Sequence, residues 1–151
     1  MKKDAMLAIL RPKDIRQFAL LAAFACFPFL PPPLRATSNY TYKPGEYVVV
    51  ADGRSPDGQY SIAAHGDGDE GYDNFHIYLM DARSGRKIGP LEEIKDTLDT
   101  GADAFHAQWS ADSHQVSISY RVDRRVVVVV RYRVDGRRAF RISGPTTISG
   151  R

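Results

Sequence analysis

The chain of 151 residues carries 21 Lys and Arg against 18 Asp and Glu, for a formal net charge of +3, with 43% hydrophobic residues and one cysteine. That length and composition suit one domain with its own core, and a lone Cys26 excludes an internal disulfide framework and a thiolate metal cluster. Charge is unevenly placed, with +4 on residues 1–36, −8 on residues 37–120 and +7 on residues 121–151, so the chain after residue 36 is close to neutral and nucleic acid is not the expected partner.

The first segment has the pattern of an export signal. A net-positive stretch runs to Arg16, and thirteen uncharged residues, Phe18 to Leu30, follow before Pro31, Pro32 and Pro33. Thirteen is the length of a signal-peptide apolar region and falls short of the ~20 residues of a membrane span. Residues 1–36 are therefore expected to be a signal peptide with a signal helix, cleaved near Ala36, or else an uncleaved membrane anchor over residues 18–34. No cysteine follows residue 36. The remaining domain, residues 37–151, is expected to be periplasmic or secreted and to be stabilised by its core alone.

Beyond Tyr47 the chain reads as short strands separated by turn chemistry. Tyr47 to Ala51 is β-branched and apolar, Tyr60 to His65 follows the turn-rich Asp52–Gly58, and Phe75 to Met80 alternates Phe75, Ile77 and Leu79 with His76, Tyr78 and Met80. That two-residue period is the signature of a strand. Lys87 to Leu91 is a weak fourth. Leu91, Ile94 and Leu98 fall at helical spacing with Gly101 beyond them, which predicts one short helix in the connection. A second series follows in Phe105 to Trp109, Val116 to Val122, Val126 to Val134 and Ala139 to Ile142. Its five consecutive valines, Val126 to Val130, predict a strand buried on both faces at its start.

The two series repeat one another. Ser55-Pro-Asp-Gly-Gln-Tyr-Ser-Ile-Ala-Ala64 returns as Ser110-Ala-Asp-Ser-His-Gln-Val-Ser-Ile-Ser119, and each unit proceeds to a turn closing on Gly85 or Gly136. A unit of about 50 residues written twice is a spacing of propeller and array repeats. The expected fold is all-β, with two four-stranded antiparallel sheets in units about 46–91 and 104–143, arranged as a partial propeller or a small sandwich.

The residues Ser55 to Tyr60, Ile77-Tyr-Leu-Met-Asp-Ala-Arg-Ser-Gly85 and Gln108-Trp-Ser-Ala-Asp-Ser113 resemble blades of WD-repeat-like and Tol-type β-propellers over residues 46–143. In such blades the aspartate turn joins the first two strands, and an Asp-x-x-Ser-Gly hairpin joins the third to the fourth. The resemblance implies architecture and is silent on chemistry. Two units are fewer than a closed propeller requires. In the second copy, Ala111 and Ser113 replace the proline and glycine of the first.

Three groups of residues invite a functional reading. Asp67, Asp69 and Asp73 alternate with glycines in the loop His65–Asn74, a composition suited to a hard cation such as Ca²⁺ and equally to a solvated hairpin loop. His76 and His106 follow Phe75 and Phe105 and would approach each other if the units stacked alike, and Ser110 lies near His114 without an orienting carboxylate elsewhere. The last thirty-one residues hold nine arginines, among them Arg121, Arg131, Arg133 and Arg141. These either meet a protein or envelope partner or complement the acidic first unit. The function expected is that of a small exported, non-enzymatic binding module without a cofactor. The alternatives are a calcium-dependent hydrolase and a structural subunit of a homo-oligomeric β assembly.

Overall fold

The computed structural model describes residues 39–149, and the expected signal helix, anchor and cleavage region lie outside them. Eight strands follow in chain order: β1 (Val48–Arg54), β2 (Tyr60–Asp67), β3 (Asp73–Asp81), β4 (Lys87–Pro90), β5 (His106–Trp109), β6 (Gln115–Asp123), β7 (Val126–Asp135) and β8 (Arg138–Ser149). All belong to one sheet in the order β4-β3-β2-β1-β5-β6-β7-β8, curled into a half-barrel. Every pairing is antiparallel except that of β1 with β5, which is parallel at Ala51 opposite His106.

This corrects the expectation of two four-stranded sheets. Each unit does form an antiparallel meander, but the first strands of the two units meet instead of facing away from one another. The Ala51 N–H donates to the Phe105 carbonyl at 3.3 Å, and the Trp109 indole N–H donates to the Gly53 carbonyl at 3.2 Å. Joining β1 to β5 removes two free edges that separate sheets would have left open.

The short helix expected over Leu91–Leu98 is also corrected, because that stretch is turns and bends and the described residues hold no α-helix. Asp96 has φ +52°, which no α-helix accommodates, and the Leu98 N–H donates to the Arg121 carbonyl of β6 at 2.8 Å. Leu91 and Ile94 are buried nonetheless. Their spacing serves a loop that covers the core, and the local helical turn is confined to a 3-10 turn at Ala102–Ala104.

Alternation decides what each strand buries. Ile62 and Ala64 of β2, Ile77 and Leu79 of β3, Val116, Ile118 and Tyr120 of β6, and Val128, Val130, Tyr132 and Val134 of β7 join one continuous core on the inner face. Tyr42, Leu91 and Ile94 close over it from the connecting segments. A small second cluster of Ala63, Tyr78 and Met80, with Tyr47 against it, sits on the opposite face of β2 and β3. The valine run of β7 is fully buried at Val128 and Val130, whereas Val126, Val127 and Val129 are half-buried, so it is amphipathic along its whole length.

Candidate functional site

The duplicated passage builds the same turn twice. In the first copy the Ser55 hydroxyl donates to Asp57 Oδ1 at 2.6 Å, the Gln59 N–H donates to the same oxygen at 3.0 Å, and the Tyr60 N–H donates to Ser55 Oγ at 2.9 Å. In the second the Ser110 hydroxyl donates to Asp112 Oδ1 at 2.5 Å, the His114 N–H to that oxygen at 3.0 Å, and the Gln115 N–H to Ser110 Oγ at 2.9 Å. Gly58 has φ +68° and Ser113 has φ +61° at the matching position. A left-handed serine costs more than a glycine there. The compensation is visible: Ser113 is 2% exposed, and its hydroxyl oxygen accepts the Asp57 N–H at 3.1 Å, which ties one copy of the turn to the other.

Both turn carboxylates are held below the usual range, first by the serine hydroxyl and then by the Gln59 or His114 N–H. A carboxylate that is more acidic when folded stabilises the fold above its ordinary value of 3.8 and loses that contribution as pH falls through its lowered value. The double variant Asp57→Asn/Asp112→Asn is therefore expected to flatten the loss of stability below about pH 4 while keeping the acceptors in place. Urea midpoints measured across that range check it, and an acid limb as steep as the parent's contradicts it.

The other candidates are used locally. Asp67 accepts from or pairs with His65 Nε2 at 2.9 Å, while His65 Nδ1 lies 2.7 Å from the Glu46 carbonyl. Asp69 is exposed, and the Asp73 carboxylate lies over Gly68 so closely that a β-carbon has no room there. Asp67 and Asp73 stand opposite one another on the β2–β3 ladder, but among the described residues no group of three His, Cys, Asp or Glu is placed to hold a metal ion. His76 stands opposite His65 on the β2–β3 ladder, whereas His106 meets Asp52 at 2.9 Å, so the two are not brought together. Ser110 gives its proton to Asp112, not to His114.

The four arginines divide into two pairs. Arg121 Nη2 lies 2.8 Å from Asp99, whose side chain is 6% exposed, and Arg141 Nε lies 3.9 Å from Glu93. Arg131 and Arg133 are exposed on the outer face of β7, with Arg131 Nε donating to Ser117 Oγ at 3.2 Å and Arg133 6.0 Å from the Phe140 ring centre. Phe140 pairs with Arg133 and Ile148 with Val127, which places both apolar side chains on that outer face, where they are 42% and 55% exposed.

A second basic feature went unnoticed in the sequence because its parts are distant along the chain. The β3–β4 turn is closed by Asp81, which accepts the Arg83 and Ser84 N–H groups at 3.0 and 2.9 Å, and by Gly85 at φ +68°. This is the Asp-x-x-Ser-Gly hairpin the resemblance implies. Together with the Gly136–Arg137 turn between β7 and β8 it lines an open groove of about 580 Å³.

No family model, curated protein or solved structure matches the chain, so the likeness to propeller blades rests on the quoted residues alone.

Proposed function

We propose that the chain is a small exported, non-catalytic module that binds a protein component of the cell envelope through the outer face of β7 and β8. The observation that carries this is the composition of that face: exposed Arg131 and Arg133 beside exposed Phe140 and Ile148, with Val127 and Val129 half-buried between them. Arginine with an aromatic and aliphatic neighbours is the mixture that interface centres favour over ordinary surface. The residues able to do chemistry support the non-catalytic part of the reading, since Ser110, His65 and His106 are committed to turn and strand partners. The pattern of residues 1–36 supports export.

A photo-crosslinking amino acid in place of Phe140, in the full chain expressed in a bacterial envelope, tests this. One discrete crosslinked protein is expected, reduced about tenfold by Arg131→Glu/Arg133→Glu. The same crosslinker in place of the exposed Gln108 of β5 should give none. Equal crosslinking from both positions, or none from Phe140, overturns the proposal.

A further inference from the structure

The groove between the two hairpin turns is built differently from the β7–β8 face. Arg83, Arg86 and Lys87 come from the β3–β4 hairpin and Arg137 from the β7–β8 turn, some fifty residues later, and all four line the same groove. The Tyr60 hydroxyl donates to the Gly136 carbonyl at 2.8 Å, and the Ala82 N–H donates to the Gln59 carbonyl at 2.9 Å, so the two turns are tied to the strands that place them. Among the described residues Arg83, Arg86 and Arg137 have no ion-pair partner, and Lys87 lies 5.0 Å from the centre of the Tyr78 ring. The one acid in the lining, Asp81, has both its turn N–H donors, and the Lys87 ammonium lies over Tyr78, so it is the three guanidinium groups of Arg83, Arg86 and Arg137 that outnumber one satisfied carboxylate.

Such an excess in a space of about 580 Å³ calls for a compact ligand of high negative charge. A terminal phosphate or phosphomonoester brings close to two charges, against one for a carboxylate, and three oxygens that suit the planar guanidinium fork. We propose that this groove binds a compact ligand bearing two or more phosphoryl groups. Cations from both turns act on it at once, so the ligand bridges the β3–β4 and β7–β8 hairpins and holds the two ends of the curled sheet together.

The single Trp109 is stacked on Tyr60, with ring centres 6.4 Å apart and planes 13° from parallel, and Tyr60 lines the groove. Its fluorescence therefore reports occupancy. Titration of the full chain with inorganic tripolyphosphate, against citrate and sulfate at matched ionic strength, is expected to give one saturable site that prefers tripolyphosphate to either by at least about tenfold. Arg86→Ala and Arg137→Ala should each weaken it about tenfold, while Arg124→Ala, an exposed arginine in the β6–β7 turn, leaves it unchanged. Thermal melts of each variant without ligand confirm an intact fold. Cosedimentation with vesicles of a lipid that carries two phosphomonoester groups, displaced by tripolyphosphate, assigns the phosphates to a lipid headgroup, and binding of soluble tripolyphosphate alone assigns them to a free oligophosphate. Citrate binding as tightly, no saturation, or an equal loss in Arg124→Ala overturns the proposal.

Discussion

Phe105→Ala is expected to lower the free energy of unfolding by about 3–5 kcal/mol and the melting temperature by roughly 10–20 °C. Phe105 is 1% exposed and lies immediately before β5, where its ring centre is 5.6 Å from Phe75 of the first unit and 5.9 Å from Tyr120 of the second. It is thus shared by both halves of the core. The backbone offers little substitute, because β1 and β5 pair at one position and the Ala51 N–H reaches Phe105 itself. A cavity at this joint removes apolar contact from both meanders together, at a place where the ladder has few hydrogen bonds to resist opening. Since whole domains have only about 5–15 kcal/mol to lose, the variant should be marginal at 37 °C. Chemical unfolding followed by far-ultraviolet circular dichroism and by Trp109 fluorescence should still give one coincident transition, with a lower midpoint. A loss below about 1 kcal/mol, or two separated transitions, means that the core is not continuous through the β1–β5 joint.

The same joint shows where sequence reading succeeds and where it stops. Each of the eight strands overlaps a segment that alternation and turn residues mark out, because these are local properties that need no knowledge of the rest of the chain. But β1 runs on through Asp52 and Gly53 to Arg54, where a turn is expected, and β8 runs on to Ser149, well beyond Ile142. The pairing of β1 with β5 is not local. It depends on Asp52 meeting His106 and on Trp109 reaching the Gly53 carbonyl, and neither contact has a signature in either segment. Tyr42 was missed as a core residue for a similar reason: it belongs to no strand, and its burial rests on its N–H donating to Gly71 at 2.8 Å and its hydroxyl to Thr100 at 2.6 Å. The substitution of Ser113 for glycine looks like degeneration of the second copy. Its contact with the Asp57 N–H shows instead that the two copies have become complementary. Of the candidate sites, exposure of Arg131 and Arg133 on either side of buried Tyr132 follows from alternation alone, while the groove needed the fold to bring Arg137 beside Arg83 and Arg86.

Arg121→Leu should cost about 2–3 kcal/mol, whereas Arg131→Leu should change stability by no more than about 0.5 kcal/mol. Both arginines occupy the non-core positions of their strands and belong to the same basic C-terminal stretch, so composition does not separate them. Burial of the partner does. The Arg121 guanidinium lies 2.8 Å from Asp99, whose side chain is only 6% exposed, and its own side chain is 34% exposed. Removing the cation leaves a buried carboxylate without that charge-assisted bond, while loss of Arg131 leaves a Ser117 hydroxyl that water can reach. The Arg121 carbonyl still accepts the Leu98 N–H in the variant, so the backbone tie to the covering loop persists and the measured loss belongs to the side chain. Arg121→Lys should recover only part of it, since an ammonium does not reproduce the planar fork. Combining Arg121→Leu with Asp99→Asn should give a loss that differs from the sum of the two single losses, because the two side chains are in contact. Urea midpoints at constant m value read all of these variants. An Arg121→Leu protein as stable as the parent that no longer crosslinks through position 140 would move Arg121 from the framework to the binding face. The expected result keeps the division: Arg121, beside buried Asp99, holds the covering loop to the sheet, and Arg131, exposed on the outer face, carries no such task.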